Sequence, residues 1–295
     1  MLPLVLGTAQ LGTPYGVANQ QGQPNPQTAY RIVETAWSCG IREFDTAQTY
    51  GTSETVLGNA LRLIGVQAEA RIITKTDPAL DHTDASVMRT AVAGSLERLS
   101  ISCLSALLVR RACMEAWHKG LYEILRECQE SGMVERVGVS VYTPDEALEA
   151  LACEGVDIVE LPTNVLDRRF ERAGVFERAH AVGKMVYIRS VFLQGLLLLD
   201  PKELATHLHF AQSSLEEFAT CARELAMTQH ELALAYIKTQ FPEAHVIVGA
   251  ELPEQVEETA RVWGCAPSLQ AVQRIQEVFA AVDERILDPT QWPHA

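Results

Sequence analysis

The feature that most constrains the fold is an eightfold alternation of short apolar runs with segments of helical periodicity. Each apolar run has the length and composition of a strand buried in a sheet. The predicted strands cover residues 2–7, 42–45, 71–75, 103–109, 135–140, 157–161, 185–190 and 245–249. Such repeated strand–helix units imply parallel strands joined by right-handed crossovers.

Helical spacing of apolar residues follows every predicted strand. The predicted helices cover residues 27–39, 53–64, a segment after Thr83, 120–131, a segment opened by Thr143-Pro144, 175–182, 214–226, 228–239, 253–262 and 268–286. Eight units in 295 residues fit a closed (β/α)8 TIM barrel, with additional helices after strand seven and at the C-terminus. No linker or shift in composition divides the chain, so residues 1–295 are predicted to form a single domain.

An open doubly wound sheet is the alternative to the barrel. That fold favours a GxGxxG fingerprint after the first strand, where this chain has Gly7-Thr8-Ala9-Gln10-Leu11-Gly12. The first loop therefore favours the barrel.

Composition excludes several classes of function. The net charge of −14 and the absence of a basic patch argue against nucleic acid as a partner. The seven cysteines are odd in number and show no metal-ligand spacing, which is typical of reduced thiols in a cytoplasmic protein without a metal. No apolar run is long enough for a signal peptide or a membrane span. The oligomeric state stays open.

Three polar residues lie at or just beyond the carboxyl ends of successive predicted strands: Asp45, Tyr50 and Lys75. The active site of such a barrel lies at that end. An ammonium near a phenol favours the phenolate, so Lys75 is expected to lower the tyrosine pKa from about 10. Asp45 is expected to keep Lys75 charged and oriented. Gly51 allows a turn after Tyr50, and Ser53 is a candidate cap for the next helix.

These residues stand in the run FDTAQTYGTSE, followed by LGNAL and then by ITK, which ends at Lys75. Shorter matches follow at Gly7-Thr8-Ala9-Gln10, Val137-Gly138-Val139-Ser140 and Val248-Gly249-Ala250. In order and spacing the chain resembles the aldo-keto reductases. The resemblance implies an oxidoreductase in which hydride from a nicotinamide cofactor reduces an aldehyde or ketone, a small-molecule carbonyl substrate. Tyr50 would be the general acid, tuned by Lys75 and Asp45.

The same resemblance implies a set of cofactor-binding residues. They are Gly7, Thr8, Ala9, Asp45, Ser140, Glu160, Arg189, Ser190, Phe192, Gln194, Gly195, Gly249, Gln255 and Glu258. The segment 189–195 matches the loop that covers the pyrophosphate in the family, and the segment after residue 249 matches the adenosine site. NADPH is the family norm and is the expected cofactor. NADH is also possible, because this last segment has no basic residue before Arg261 and carries the acidic Glu251.

Three positions depart from the family pattern. Arg110 stands where a catalytic histidine is usual, Glu160 where many members have glutamine, and Val141 where asparagine is frequent. A guanidinium stays charged and cannot donate as a neutral imidazole does. We expect Arg110, as a fourth catalytic-site residue, either to pair with Glu160 or to leave an anion-binding spot open. These departures leave two alternatives to carbonyl reduction: a non-redox ligand-binding or regulatory role, and a different reaction on an anionic substrate.

Overall fold

A computed structural model gives the structure of residues 3–111 and 114–293. The chain forms eight strands, all close to the predicted positions. They are β1 Leu4–Gly7, β2 Glu43–Asp45, β3 Arg71–Lys75, β4 Ala106–Arg110, β5 Val137–Ser140, β6 Ile158–Pro162, β7 Met185–Arg189 and β8 His245–Gly249. Leu2, the first residue of the first predicted strand, lies outside the described residues.

The strands close into a barrel in chain order, and every neighbouring pair is parallel. Closure places Gly7 of β1 beside Asp45 of β2 on one side and beside Gly249 of β8 on the other. The predicted TIM barrel is confirmed, and the open doubly wound sheet is wrong.

Helices surround the barrel and connect its strands. Those of seven or more residues are Pro26–Ser38, Ser53–Ile64, Ala85–Leu99, Tyr122–Glu130, Pro144–Ala152, Val175–Ala181, Gln212–Glu224, Gln229–Gln240, Pro253–Trp263 and Leu269–Val278. The single helix predicted for 268–286 is wrong. The helix that begins at Leu269 ends at Val278, and Asp283 then caps a separate short helix, Glu284–Leu287. No helix in the described ranges has the length and apolar character to cross a membrane.

The period-two alternation of each strand divides the core into two layers. In β4, Leu107 and Val109 face the helices, whereas Ala106 and Leu108 point into the barrel. The inward residues of several strands form one apolar plug: Val5, Ile73, Ala106, Leu108, Ile158, Tyr187 and Ile247. Along the same inward faces, Lys75 follows Ile73 and Arg110 follows Leu108. Polar residues therefore occupy the barrel just beyond the plug.

Polar groups also lie at the opposite end of the barrel. Glu43 is buried there and is contacted by Arg71, Tyr187 and His245. These four residues are called the amino-end cluster. The corresponding set at the carboxyl ends of the strands, Asp45, Lys75, Glu160 and Arg189, is called the carboxyl-end cluster.

Candidate active site

Lys75 is the centre of the carboxyl-end cluster. Its Nζ donates to Asp45 Oδ1, lies 3.0 Å from Glu160 Oε2 and donates to the Thr46 carbonyl at 3.3 Å. Burial alone would lower the pKa of Lys75, but Asp45 and Glu160 raise it above its ordinary value. Lys75 therefore stays charged, with two carboxylates and one carbonyl oxygen around its ammonium group. The expected Asp45–Lys75 pair is confirmed.

Glu160 connects Lys75 to Arg189. Arg189 Nε lies 3.3 Å from Glu160 Oε1, and Ser140 donates its hydroxyl to the same oxygen at 2.8 Å. Burial would raise the pKa of Glu160, but Lys75 and Arg189 hold it below its ordinary value. Of the two alternatives predicted for Arg110, pairing with Glu160 is wrong. Strand β6 neighbours β7, with Pro162 beside Arg189, whereas Arg110 comes from β4, two strands away.

Asp45 shares Lys75 with a second carboxylate. Burial raises the pKa of Asp45, Lys75 opposes that rise, and the charge of Glu160 adds to it, so the pKa reaches about 7. Asp45 is thus the member of the cluster whose charge changes in the neutral pH range.

The loop that carries Tyr50 is fixed by close backbone packing. Gly51 has φ +54°, and a Cβ there would lie 2.4 Å from the Gly12 carbonyl oxygen. A Cβ on Gly12 would lie 1.8 Å from the Tyr50 carbonyl oxygen, so both positions need glycine. The expected Ser53 cap is wrong. The helix is preceded by Thr52, and the Ser53 hydroxyl instead donates to the Thr8 carbonyl at 2.7 Å, which ties β1 to this loop.

The Tyr50 hydroxyl takes part in none of the hydrogen bonds found among the described residues. Burial raises the pKa of Tyr50 to about 12; Lys75 opposes this, and Asp45 and Glu160 reinforce it. Lys75 acts to lower this pKa, as expected, but burial outweighs it, so the expectation of a pKa below 10 is wrong. The Lys75 Nζ lies 5.6 Å from the ring centroid and is paired with two carboxylates. At neutral pH Tyr50 is a protonated phenol with a free donor.

Arg110 reaches from β4 towards the Tyr50 loop. Its Nη2 donates to Thr49 Oγ1 at 2.9 Å, next to Tyr50 in the chain. Its Nε is buried and has no hydrogen-bond partner among the described residues. Within those residues no carboxylate lies within 4.0 Å of the guanidinium.

A cavity of about 420 Å³ begins at Asp45 and Tyr50 and continues along the ends of β1, β7 and β8 to the start of helix Pro253–Trp263. Its lining includes twelve of the fourteen residues predicted for cofactor binding. These are Gly7, Thr8, Ala9, Asp45, Arg189, Ser190, Phe192, Gln194, Gly195, Gly249, Gln255 and Glu258. Ser140, Glu160 and Lys75 are buried outside this lining, and the half-buried Arg110 also lies outside it.

Arg189 lines the cavity, but its guanidinium is already engaged. It donates to the Val141 carbonyl at 3.0 Å and lies over the Tyr142 ring, 4.4 Å from the centroid. With Glu160 as a further partner, this side chain forms part of the cavity wall. Sequence reasoning placed it on the pyrophosphate and missed these contacts.

Two loops meet over the cavity. The Val17 amide donates to the Gln194 carbonyl at 3.0 Å, joining the loop after β1 to the loop after β7. In the second loop, Ser190, Leu193 and Gln194 all have positive φ, an uncommon conformation for residues with a side chain. Tyr15, Gly16 and Ala18 of the first loop line the cavity and were missed, since that segment showed only the composition of a loop.

The far end of the cavity holds a histidine that sequence reasoning also missed. His230 stacks on Phe192 with centroids 4.9 Å apart, and its Nε2 lies 3.1 Å from Thr259 Oγ1. Its Nδ1 is buried without a hydrogen-bond partner. The cavity therefore has an unpaired donor, the Tyr50 hydroxyl, at one end and an unpaired ring nitrogen at the other. An elongated ligand with polar groups at both ends, such as a dinucleotide, fits this arrangement.

The described residues contain no group of three or more His, Cys, Asp or Glu side chains arranged to hold a metal ion. The six cysteines in those ranges are free thiols, and Cys113 lies outside them.

Comparison with known proteins gives a consistent result. The model of the Aldo/keto reductase family matches residues 3–280. The NADH-specific methylglyoxal reductase of Escherichia coli (strain K12) is 25% identical over 287 residues, covering 86% of this chain and 87% of that protein. Aldo-keto reductase YhdN of Bacillus subtilis (strain 168) is 24% identical over 293 residues, covering 88% of this chain and 84% of the relative.

Solved structures share the fold. The holo form of aldo-keto reductase AKR11C1 from Bacillus halodurans superposes with a TM-score of 0.78 at 23% identity, covering 97% of this chain and 95% of that one. Glycerol dehydrogenase AKR11B4 from Gluconobacter oxydans gives a TM-score of 0.74 at 20% identity, with 95% and 94% covered.

Proposed function

The chain belongs to the aldo/keto reductase family, and on that premise we propose that it reduces an aldehyde or ketone to the alcohol, using a nicotinamide cofactor. The observation that carries the proposal is the Tyr50 hydroxyl. It stands at one end of the elongated cavity, without a protein partner among the described residues, beside a charged and fully paired Lys75.

Tyr50 is assigned as the general acid. The bound nicotinamide would supply hydride to the carbonyl carbon, and the Tyr50 hydroxyl gives its proton to the carbonyl oxygen. With a pKa of about 12, Tyr50 keeps that proton at neutral pH until the oxygen becomes basic. The ammonium of Lys75 stabilises the phenolate that remains, and Asp45 and Glu160 hold the ammonium in place.

The residues that would hold the cofactor follow the cavity. The backbone of β1 and β8 at Gly7 and Gly249 lines its middle, and the loop from Ser190 to Gly195 closes over it. Gln255 and Glu258 lie at the far end with His230. Ser140 and Glu160 do not line the cavity, so we assign them a positioning role through Lys75 and Arg189.

The charge at the far end favours NADH over the NADPH that the resemblance alone predicts. Glu251, Glu254 and Glu258 line that end, and the cavity lining there contains no lysine or arginine among the described residues. A carboxylate accepts hydrogen bonds from ribose hydroxyls but repels a 2′-phosphate. Arg261 is nearby but is held by Glu258, at 2.7 Å, and by Glu231. One relative is named an NADH-specific reductase, which agrees with this proposal.

Equilibrium titration with each cofactor tests the proposal. We expect NADH to quench tryptophan fluorescence with a Kd at least about tenfold lower than that of NADPH, roughly the effect of one unfavourable charge contact. Glu258→Gln should narrow this difference. Glu257→Gln is the matched control, because Glu257 is exposed on the same helix and does not line the cavity.

Turnover is then measured as loss of reduced cofactor in the presence of aldehydes and ketones. One alcohol should form for each cofactor oxidised. If neither cofactor binds at millimolar concentration and no carbonyl compound is reduced, the proposed function is wrong. Tighter binding of NADPH would overturn the cofactor preference alone.

A further inference from the structure

We propose that Arg110 is a recognition site for a carboxylate on the substrate, so that the protein acts on aldehydes or ketones that also carry a carboxylate group. This inference rests on the proposed carbonyl reduction and specifies its substrate class. It follows from the placement of one arginine and from the charges around it.

Arg110 lies close to the end of the cavity that holds Tyr50. Alternation along β4 puts it on the same inward face as Ala106 and Leu108, at the end where the cavity begins. From there its Nη2 reaches Thr49, the residue before Tyr50. The guanidinium therefore stands beside the loop that holds the proposed proton donor.

The other two cations at this end of the barrel are already neutralised. Lys75 is paired with Asp45 and Glu160, and Arg189 is paired with Glu160. Two cations and two carboxylates leave no anion for Arg110. None of the described carboxylates lies within salt-bridge distance of it, and a hydroxyl is its partner instead.

The next residue, Arg111, just after β4, provides a contrast. Its Nη2 lies 2.9 Å from Glu149, and its Nε lies 3.8 Å from Glu146. The Nε groups of both arginines are buried without a hydrogen-bond partner among the described residues, but of the two only Arg110 also lacks a carboxylate within 4.0 Å. A cation without a counter-ion costs stability, so Arg110 is best explained by an anion that arrives with the ligand.

A carboxylate suits this guanidinium in charge and shape. Arginine presents two parallel N–H groups that match the two oxygens of a carboxylate. Thr49 orients one side of the guanidinium without neutralising it. A single unpaired positive charge balances a monoanion, whereas a phosphate dianion would remain half uncompensated. Binding at Arg110 would then present the carbonyl of the same molecule to Tyr50.

Matched substrate pairs test the inference. With NADH, wild-type protein should reduce 4-oxobutanoate with a lower KM than butanal, which differs by loss of the carboxylate. In Arg110→Met, the ratio of kcat/KM for 4-oxobutanoate to that for butanal should fall about 10- to 100-fold, the usual effect of removing a charged hydrogen bond. Arg110→Lys should restore part of this ratio. Arg111→Met, which loses the exposed pair with Glu149 just after β4, should leave it unchanged.

Binding of succinate supplies a readout that does not depend on turnover. Wild-type protein should bind succinate in a calorimetric titration, and Arg110→Met should lose at least about tenfold in affinity. If Arg110→Met keeps both the substrate ratio and succinate affinity, the inference is wrong. It is also wrong if glyceraldehyde 3-phosphate is selected over glyceraldehyde while the carboxylate pair is not distinguished. If the wild-type protein reduces no carbonyl compound but binds succinate through Arg110, the proposed function is refuted and the Arg110 site stands.

Discussion

The two ends of the barrel contain the same kinds of residue in different states. At the amino end, Glu43 is buried between Arg71 and His245, and the Tyr187 hydroxyl donates to its carboxylate at 3.1 Å. The Tyr187 and His245 rings stack with centroids 4.4 Å apart and close that end. At the carboxyl end, the carboxylates pair with lysine and arginine instead, and the Tyr50 hydroxyl faces a cavity.

The difference shows that residue types alone do not make a reactive site. Burial and the charge of Glu43 raise the pKa of Tyr187 well above its ordinary value, and its proton is committed to that carboxylate. Tyr50 is also buried, yet its proton is free and a cation stands beside it. We therefore assign reactivity to the carboxyl end and a structural role to the amino end.

The largest expected contrast comes from removing one cation at each end. Lys75→Met would leave Asp45 and Glu160 buried with too little positive charge, so we expect a loss of about 3–5 kcal/mol in the free energy of unfolding. Arg71→Met should cost less than about 1 kcal/mol, because the Arg71 side chain is 34% exposed. Denaturation in urea measures both. Equal losses of unfolding free energy would mean that the cation is equally important for stability in the two clusters.

The two ends should also respond to pH with opposite sign. The pKa of Asp45 is raised to about 7, so its contribution to stability is present below its unfolded pKa of about 3.9 and is lost as the pH rises through 7. The pKa of Glu43 is lowered: burial opposes this, and hydrogen bonding to His245 outweighs it. Its contribution is present above an unfolded pKa of about 4.3 and is lost as the pH falls through the folded value.

Unfolding free energies measured from about pH 3 to 8 test this expectation, since that range spans both transitions. Wild-type protein should lose stability as the pH rises from about 4 to 7, and Asp45→Asn should not show this loss. Wild-type protein should also lose stability as the pH falls on the acid side, and that loss should be smaller in Glu43→Gln. Glu160 also has a lowered pKa and adds to the acid-side loss, so each variant is compared with wild type. If Asp45→Asn leaves the neutral-range slope as it is, Asp45 does not titrate there.

A smaller effect separates the two carboxylates of the carboxyl end. Because the charge of Glu160 raises the pKa of Asp45, Glu160→Gln should lower that pKa. The Asp45 carboxyl can be followed by NMR as the pH is changed. Glu43→Gln is the matched control at the other end and should leave the Asp45 transition in place. An unmoved transition in Glu160→Gln would show that the two carboxylates are not coupled.

Much of this architecture is readable from the sequence. Strand periodicity predicts the barrel, and the strand ends bring Asp45 and Lys75 together because inward residues of neighbouring strands must meet. The positions of Arg189 and Gly249 at the ends of strands likewise predict that they lie at the cavity. These predictions depend on local sequence pattern and on closure of the barrel, which together leave few alternative positions for the strand-end residues.

The missed features depend on how side chains cross between strands. Arg110 and Arg189 both end strands at the carboxyl end of the barrel, and strand adjacency and side-chain path decide which of them reaches Glu160. The sequence suggests Arg110, whereas the structure has Arg189. His230 comes from the insertion after β7, whose position on the barrel no local pattern reveals. The raised pKa of Tyr50 reflects burial by loops that are distant in the chain.

The most direct test removes the tyrosine hydroxyl at each end of the barrel and compares the results. Tyr50→Phe should lower NADH-dependent carbonyl reduction by about 10²- to 10⁴-fold with the Kd for NADH nearly unchanged. Tyr187→Phe should keep turnover and lose about 1–3 kcal/mol of unfolding free energy, since Glu43 loses a buried donor. Wild-type turnover in Tyr50→Phe, or lost turnover in a fully stable Tyr187→Phe, would contradict the assignment of the reaction to the carboxyl end.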